Sequence, residues 1–443
     1  MKITSRLLQN YNGNDNVLVI SGYPKKSEKY SQGVCAVSSF AKNSLLALQK
    51  ENLQRKIVVL TMMLDGKEKV YEENGMLIVR CFGRDQPASY FNLLKTISQF
   101  NKTKNVMIEF EFSSFGNLSM TLFLVPFTYF LRLSGKDITF VIHQVLFDLK
   151  KIHGHIGLSK KSPLLRVFNF GLKWFYKIIS LPAKNIVVLE EEFKIRLGKL
   201  IGFDKIIVIP HGIDKNINFS DRNEARKALG FEDQDFVILY FGFLTWYKGV
   251  DFLIETFKNT KKINGKNIKL LIAGGPSFTQ EKKPHYQKFL KKVIELAKSN
   301  SNIKITGFVK EKDMSRMFIA SDIVTLPYRT CMSSSGPLSL TISHKKPFIL
   351  SENLSAITKT HDFRSALNLA GLIQNDFIFD FKDKSLINLI KKTMKNNLQK
   401  KLIKFSSILS ERRSFANLAT DYDKVLANDL KLNLAPTMLS IAK

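Results

Sequence analysis

Cysteine is scarce in this 443-residue sequence. Its three cysteines, Cys35, Cys81 and Cys331, lie far apart, and no Cys-X-X-Cys pair or cysteine–histidine cluster surrounds them. The spacing gives no indication of a disulfide framework or a zinc site, so we predict that the protein has no metal centre and no cofactor. Such a chain fits a reducing compartment, and we expect a cytoplasmic location.

Long apolar runs are also missing. The first fifteen residues contain no apolar core of the length that a signal peptide needs. The longest apolar segment, residues 118–133, carries Arg132 near its end and is shorter than the roughly 20 residues of a membrane-spanning helix. The sequence therefore predicts a soluble protein or one held peripherally at the cytoplasmic face of a membrane.

Acidic residues are few relative to basic ones. The chain has 38 Asp and Glu against 68 Lys and Arg, a formal net charge of +30. Such a surface favours anionic partners, namely nucleic acid, anionic lipid or phosphorylated substrates, although a generally lysine-rich proteome would give the same composition. The basic residues are dispersed and no nucleic-acid-binding module is recognisable, so nucleic acid is not an expected partner.

Strand and helix patterns alternate through most of the chain. The first half contains short apolar runs that are typical of buried strands, at residues 17–20, 56–60, 76–79, 105–108, 138–142, 185–189 and 206–209. A second alternating set begins after an acidic turn at residues 232–235. The pattern predicts an α/β fold with two doubly wound, Rossmann-like parallel-sheet domains, and a ligand cleft at the carboxyl ends of their strands.

The segment at residues 240–254 combines a strand, a glycine-containing loop and the start of a helix. Gly242 would allow close approach of a ligand to the backbone, and Lys248 precedes the helix directly. A lysine beside helix N-terminal amides suits a diphosphate. Taken alone, the segment is better explained by a solvated loop lysine and a glycine at a helix start.

The order and spacing of later motifs change that interpretation. Residues 270–275, 305–309, 321–323, 326–328, 335–338 and 346–347 follow in sequence, and the chain here resembles glycosyltransferase family 4. That family has the GT-B fold and comprises retaining, metal-independent enzymes that use nucleotide-sugar donors. The resemblance covers residues 236–350 well and implies three parts: an acceptor domain at 1–212, a donor domain at 213–413, and a terminal helix at 414–443 that crosses back.

The resemblance also implies roles for individual residues. Lys248 and Gly242 would contact the donor diphosphate, Gly33 would lie in a glycine loop that closes over the donor, and His143 would face the transferred sugar. The amides of the loop formed by Ser334, Ser335 and Gly336 would bind the same phosphates. The nucleobase would contact the segment that contains Gly307, Phe308, Val309 and Lys312. A lone histidine such as His143 is otherwise more often structural.

This sequence departs from the family in the donor site. Phe243 stands where the family has an arginine, and Met332 and Leu340 stand where it has two glutamates. Glu311 and Glu352 are nearby acids, but we interpret both as surface residues. The losses leave two hypotheses open: an active hexosyltransferase that acts on a lipid-linked or glycan acceptor in polysaccharide biosynthesis, and a non-catalytic GT-B sugar-binding or partner subunit.

One helix of the first half is basic and amphipathic. Eight basic residues and no acidic residue lie between Asp148 and Glu190, and Ser162 followed by Pro163 predicts a capped helix start. Three cations then share one helical face: Arg166, Lys173 and Lys177. The pattern favours either an acceptor or anionic-membrane surface or a helix that packs on the first sheet and exposes a basic stripe.

Overall fold

The computed structural model describes residues 2–28, 36–215, 217, 221–298 and 300–427. Within them the chain forms two α/β units, each a largely parallel sheet with helices on both faces. The predicted fold class is therefore confirmed. The central strands are buried along their whole length, as parallel sheets covered on both faces require.

The first unit is an eight-stranded sheet in the order β3-β4-β2-β1-β5-β6-β7-β8, in which only β3 runs antiparallel to its neighbour. Its strands are Val17–Ile20 (β1), Ile57–Met62 (β2), Lys69–Glu73 (β3), Met76–Phe82 (β4), Asn105–Phe110 (β5), Asp137–Ile142 (β6), Ala183–Val188 (β7) and Ile206–Val208 (β8). Its helices are Ser5–Tyr11 (α1), Ala36–Glu51 (α2), Ser89–Ser98 (α3), Phe112–Phe115 (α4), Leu118–Leu133 (α5), His153–Ile156 (α6), Leu164–Ser180 (α7) and Glu191–Ile201 (α8), with a 3₁₀ turn at Leu149–Ile152.

The second unit is a seven-stranded sheet in the order β10-β11-β9-β13-β14-β15, with β12 paired to β11. Its strands are Phe236–Phe241 (β9), Lys262–Ile263 (β10), Lys266–Ala273 (β11), Ile303–Ile305 (β12), Ile323–Leu326 (β13), Phe348–Ser351 (β14) and Ile378–Phe379 (β15). Its helices are Arg222–Leu229 (α9), Val250–Phe257 (α10), Pro284–Lys298 (α11), Glu311–Ala320 (α12), Gly336–Ser343 (α13), His361–Ala370 (α14), Asp383–Thr393 (α15) and Asn396–Arg412 (α16). Three 3₁₀ segments are Trp246–Lys248, Glu352–Lys359 and Gln374–Asp376.

The last described helix, Phe415–Ala427 (α17), returns to the first unit and packs on α2. Asp423 of α17 pairs with Arg55 at 2.9 Å, and Thr420 donates to Glu51 at 2.8 Å. The backbone of Ile213 forms a bridge with that of Ser414, so the two chain crossings lie side by side. The contacts tie the end of the second unit to the first and leave the cleft between the two sheets.

The start of α7 differs from the predicted capped start. The helix begins at Leu164, and its N-cap is Pro163, which already has helical dihedrals. No side chain caps it; the backbone carbonyl of Ser162 accepts from the amide of Leu165 at 3.2 Å. The predicted capping bond from the Ser162 side chain is not formed, since the Leu165 amide donates to the backbone carbonyl of Ser162 instead.

Candidate functional site

Two cavities meet in the cleft between the units. The smaller, about 190 Å³, lies between α2, the loop after β8, and the loops that follow β9, β11 and β12. The larger, about 690 Å³, lies between α5, α6, α7 and the loops of the second unit. Four residues belong to the walls of both cavities: Phe243, Lys248, Gly336 and Pro337. We call the smaller one the donor cavity and the larger one the chamber.

Lys248 lies where the cavities join. It ends the 3₁₀ segment after β9, and the next residue, Gly249, has the left-handed φ of +72° that starts α10. Its side chain is buried, and its Nζ lies 5.9 Å from the ring centroids of Phe243, Tyr247 and Tyr328. No acceptor or carboxylate of the described chain pairs with this ammonium, and burial lowers its pKa to about 8. A buried ammonium without a paired carboxylate would be stabilised by binding an anionic ligand.

Gly242 leaves room for the Lys248 side chain. Its φ is +126°, and an added methyl group would come within 3.0 Å of Lys248 Nζ and 3.1 Å of Pro337 Cγ. Gly274 lies opposite, where a methyl group would meet the Gly242 carbonyl oxygen at 1.9 Å. The two glycines therefore bring β9 and β11 loops into contact and leave the space beside the ammonium open.

The serine loop provides fewer free donors than its sequence suggests. The Ser334 amide donates to the His143 carbonyl at 3.4 Å, and the Ser335 hydroxyl caps α13 by accepting from the Leu338 amide at 3.2 Å. Pro337 has no N–H. The loop donors that have no partner among the described residues are the amides of Ser335 and Gly336, at the N-terminus of α13 and beside Lys248. The positive end of this helix adds to the lysine charge.

His143 directly follows β6, but its ring does not lie in the described wall of either cavity. Its Nε2 lies 2.6 Å from Oε2 of the fully buried Glu109, and its ring packs edge-on against Phe40 at 4.7 Å. Phe40 and Gln144 form the cavity walls nearby. The imidazole contacts Phe40, which lines the donor cavity, and a direct contact of His143 with the transferred sugar stays a prediction.

The predicted nucleobase segment is divided in the structure. Phe308 and Val309 line the donor cavity, whereas Gly307 and Lys312 are absent from its described wall and Lys312 is exposed on α12. The predicted Gly33 lies outside the described residues. Among the described residues of the first unit, α2 contributes Ser39, Phe40 and Asn43 to this wall, and the loop after β8 contributes His211 and Gly212.

Apolar side chains occupy both positions where glutamates were expected. Leu340 lines the donor cavity, and Met332 lines the chamber and packs with Leu146 and Ile152. Glu352 does not replace them, because its Oε1 accepts from the Phe381 amide at 3.0 Å. As expected from sequence, it has a structural contact instead.

His211 was not assigned a role from sequence, and the structure places it in the donor cavity. Its Nδ1 lies 2.9 Å from the Ser339 hydroxyl, and burial lowers its pKa to about 4, so the ring is neutral. Asn43, Asp214 and Ser343 also line this cavity. The available signal was a Pro-His-Gly turn directly after β8, which is the carboxyl end of a parallel strand.

The first unit carries an apolar and cationic face on α5 and α7. Five large apolar side chains on each helix are exposed, and the predicted cations Arg166, Lys173 and Lys177 are exposed on α7. We call this face the α5/α7 surface, with the apolar members Leu118, Leu122, Phe123, Phe130, Leu133, Leu164, Val167, Phe168, Phe170 and Trp174. None of the described helices has the length and apolar character to cross a bilayer. Across the described part of the chain, no three His, Cys, Asp or Glu side chains cluster as metal ligands do.

Comparisons with known proteins agree with this architecture. Residues 221–343 match the family model described as glycosyl transferases group 1. An uncharacterized glycosyltransferase of Methanocaldococcus jannaschii is 26% identical over 129 residues, which is 28% of this chain and 30% of that protein.

Solved structures match over nearly the whole length. Sucrose-phosphate synthase from Thermosynechococcus elongatus has a TM-score of 0.69 at 11% identity, covering 94% of this chain and 99% of that one. Anabaena HepE, solved in complex with UDP and glucose, has a TM-score of 0.62 at 13% identity, covering 94% and 100%. At such identities the likeness shows a shared fold. The chain has the GT-B fold, and its residues 221–343 are similar to the glycosyl transferases of group 1.

Proposed function

We propose that this protein is a glycosyltransferase that moves a hexose from a nucleotide-sugar to a hydroxyl of a lipid-linked or glycan acceptor. The nucleotide occupies the donor cavity, its diphosphate lies at Lys248 and Gly336, and the acceptor enters from the chamber. The observation that carries the proposal is the buried, unpaired ammonium of Lys248 at the junction of the two cavities.

The chemistry follows from that charge. The bond between the sugar C1 and the diphosphate oxygen breaks, the acceptor oxygen bonds to C1, and the acceptor proton passes to the leaving phosphate. Negative charge grows on the phosphate during this step, so a fixed cation and helix amides lower the barrier without a metal. In keeping with the family resemblance, we propose same-face attack with retention.

The nature of the donor is supported by similarity rather than by a contact in the cleft. The Anabaena protein of the same fold was solved with UDP and with UDP-glucose, and a UDP-sugar is therefore the first donor to test. Phe308 and Val309 would contact the base. Neutral His211 and Ser339 lie in the same cavity as Leu340 and are among the polar groups available there to a ribose.

We further propose a peripheral position at the cytoplasmic face of an anionic membrane. The α5/α7 surface combines apolar side chains with cations, and neither helix carries an acidic residue. Lys177 lies 5.4 Å over the ring of Trp174, an aromatic residue of the kind that anchors proteins at a bilayer interface. Anionic headgroups would contact the cations, and the apolar side chains would enter the interface.

A non-catalytic sugar-binding or partner subunit is the second candidate. It is favoured by Leu340 and Met332, which place apolar side chains where the family has carboxylates. Such a protein would bind the nucleotide-sugar at Lys248 and leave it intact. Binding and turnover measured on the same sample separate the two candidates.

The experiment is release of nucleoside diphosphate from a panel of nucleotide-sugars in the presence of a lipid extract. We expect release by the natural protein with at least one donor, and a loss of about tenfold or more with Lys248→Met. Lys291→Met makes the same change at an exposed lysine of α11 and is the control. Binding without release would favour the second candidate, and release that is unaffected by Lys248→Met would refute the site.

A further inference from the structure

The chamber has an amphipathic wall with a definite polarity. Its end near Lys248 is lined by hydroxyl and amide groups, among them Thr245, Gln280 and Ser333. Its other end lies between α5 and α7, and its wall there is apolar: Leu118, Leu122, Val167, Phe168, Leu172 and Phe175. Leu149, Ile152 and Ile156 pack with Met332 and Tyr247, nearer to Lys248. Contact with such a wall is unfavourable for water, whereas it is favourable for a hydrocarbon chain.

The apolar end opens on the α5/α7 surface. Four residues belong to both, since they line the chamber and are also exposed: Leu118 is 71% exposed, Leu122 56%, Val167 64% and Phe168 45%. Leu118 and Leu122 lie on α5, and Val167 and Phe168 lie on α7, so the opening lies between the two helices. A chain that leaves a bilayer under this surface can reach the chamber without crossing water.

The charges of the wall restrict the head of the occupant. Among the described wall residues, the charged side chains are Glu111 and Lys248, and His155 is neutral because burial lowers its pKa to about 4. Lys248 is engaged by the donor diphosphate in the proposed reaction. A phosphorylated head would therefore meet no second cation among the described wall residues and would lie in the same cavity as Glu111.

A glycine in α7 is a further sign that the chamber is kept open. Gly171 lies in the interior of the helix, where glycine costs about 1 kcal/mol relative to alanine. It lines the chamber, and a methyl group added there would meet no atom within 4 Å. Packing does not require the absence of a side chain at this position, but an unobstructed chamber does.

We infer that the chamber holds the hydrocarbon chain of an amphiphilic acceptor with a small, uncharged, hydroxyl-bearing head. The head lies beside Lys248, the chain runs between α5 and α7, and the rest of the lipid stays in the membrane. This inference rests on the proposed function for the transfer step and narrows its acceptor to a neutral lipid. Binding of the lipid alone does not require a donor.

The test is calorimetric titration of the full chain with hexyl, octyl and decyl glycerol ethers, each below its micelle concentration and without vesicles. A hydrocarbon site predicts a gain in affinity of about fourfold for each added methylene and a negative heat-capacity change. Affinity that is independent of chain length, or equal binding of a free oligosaccharide, would overturn the inference.

Variants of α7 locate the site. Gly171→Leu places a side chain in the chamber and also improves the helix, so we expect a folded protein with octyl glycerol affinity reduced at least about tenfold. Gly171→Ala should give a smaller reduction. Phe170→Leu is the matched control, because Phe170 precedes Gly171 and its side chain is exposed and lies outside the described chamber wall. Equal affinity of Gly171→Leu and the natural protein would place the lipid elsewhere.

A nucleoside diphosphate titration of each sample distinguishes this inference from the proposed function. Chain-length-dependent lipid binding without any nucleotide binding would leave the chamber in place and refute the donor site. Nucleotide binding without any binding of the glycerol ethers would leave the donor site in place and refute the lipid chamber.

Discussion

Replacing Lys248 by methionine should stabilise the protein while weakening its binding of nucleotide. Burial lowers the pKa of Lys248 from 10.5 to about 8, a difference that corresponds to about 3 kcal/mol of unfavourable burial of the cation. The three surrounding rings return roughly 0.5 to 2 kcal/mol of that cost. Methionine has a similar length and no charge, so the expected gain in free energy of unfolding at pH 7 is about 1 to 3 kcal/mol.

The effect has a pH dependence with a definite sign. The folded pKa lies below the unfolded value, so the unfolded chain binds more protons between pH 8 and 10.5, and stability rises with pH in this window. The advantage of Lys248→Met should therefore be complete below pH 8 and smaller by about 1.4 kcal/mol one unit above that pKa. Urea denaturation of both proteins below pH 8 and again one unit above that pKa measures this change in the stability advantage, with Lys291→Met as control.

Ligand binding should change in the opposite direction. A diphosphate stabilises the protonated lysine, so affinity for a nucleoside diphosphate should fall above pH 8, up to about tenfold per unit. Lys248→Arg keeps its charge at every pH in this range and should remove the fall, even if it binds more weakly overall. A Lys248→Met protein that is less stable and binds nucleotide normally would show that the lysine has a structural partner and would refute the reasoning.

Three further outcomes follow. His143→Ala leaves the carboxylate of Glu109 buried without its partner, so the free energy of unfolding measured in urea should fall by about 3 kcal/mol or more, whereas an exposed pair would cost less than about 1 kcal/mol. Burial raises the pKa of Glu190 from 4.5 to about 8; the folded state then binds the extra proton, its stability declines as pH rises through this window, and Glu190→Gln should flatten the melting-temperature profile there. Co-flotation with anionic liposomes should be lost when the three exposed cations of α7 are neutralised together, namely Arg166, Lys173 and Lys177. Equal flotation of that variant would contradict the membrane proposal.

Most of the fold could be predicted from sequence because its central strands are continuous apolar runs. The missed strands are of a different kind. Strand β3 is an antiparallel edge with a half-exposed, charged sequence, and β10 and β15 have two residues each. Their pairing depends on neighbouring strands rather than on an apolar pattern of their own.

The role of Lys248 in binding an anion stays a prediction, and what the structure adds is the position of this lysine. Lys248 beside a glycine loop implied an anion site, and the structure places it at the junction of two cavities. The orientation of His143 could not be predicted, since its partner Glu109 comes from a neighbouring strand 34 residues away in sequence. The serine loop shows the same limit, because the acceptors to which the Ser334 and Leu338 amides donate are brought into place only in the folded chain.

The chamber was visible in sequence only as an apolar α5 and an amphipathic α7. Neither pattern shows that the N-terminal parts of the two helices line a cavity with the second unit, while Tyr129 of α5 donates to the Ile178 carbonyl of α7 at 3.2 Å. Gly171 gave a local hint, since a glycine in the interior of a helix usually has a packing or functional reason.

The structure of a complex with a nucleoside diphosphate tests the central claim most directly. We expect diphosphate oxygens within hydrogen-bonding distance of Lys248 Nζ and the Gly336 amide, and the base in contact with Phe308 and Val309. A nucleotide bound elsewhere, or a Lys248 side chain that makes no contact with the phosphates, would contradict it.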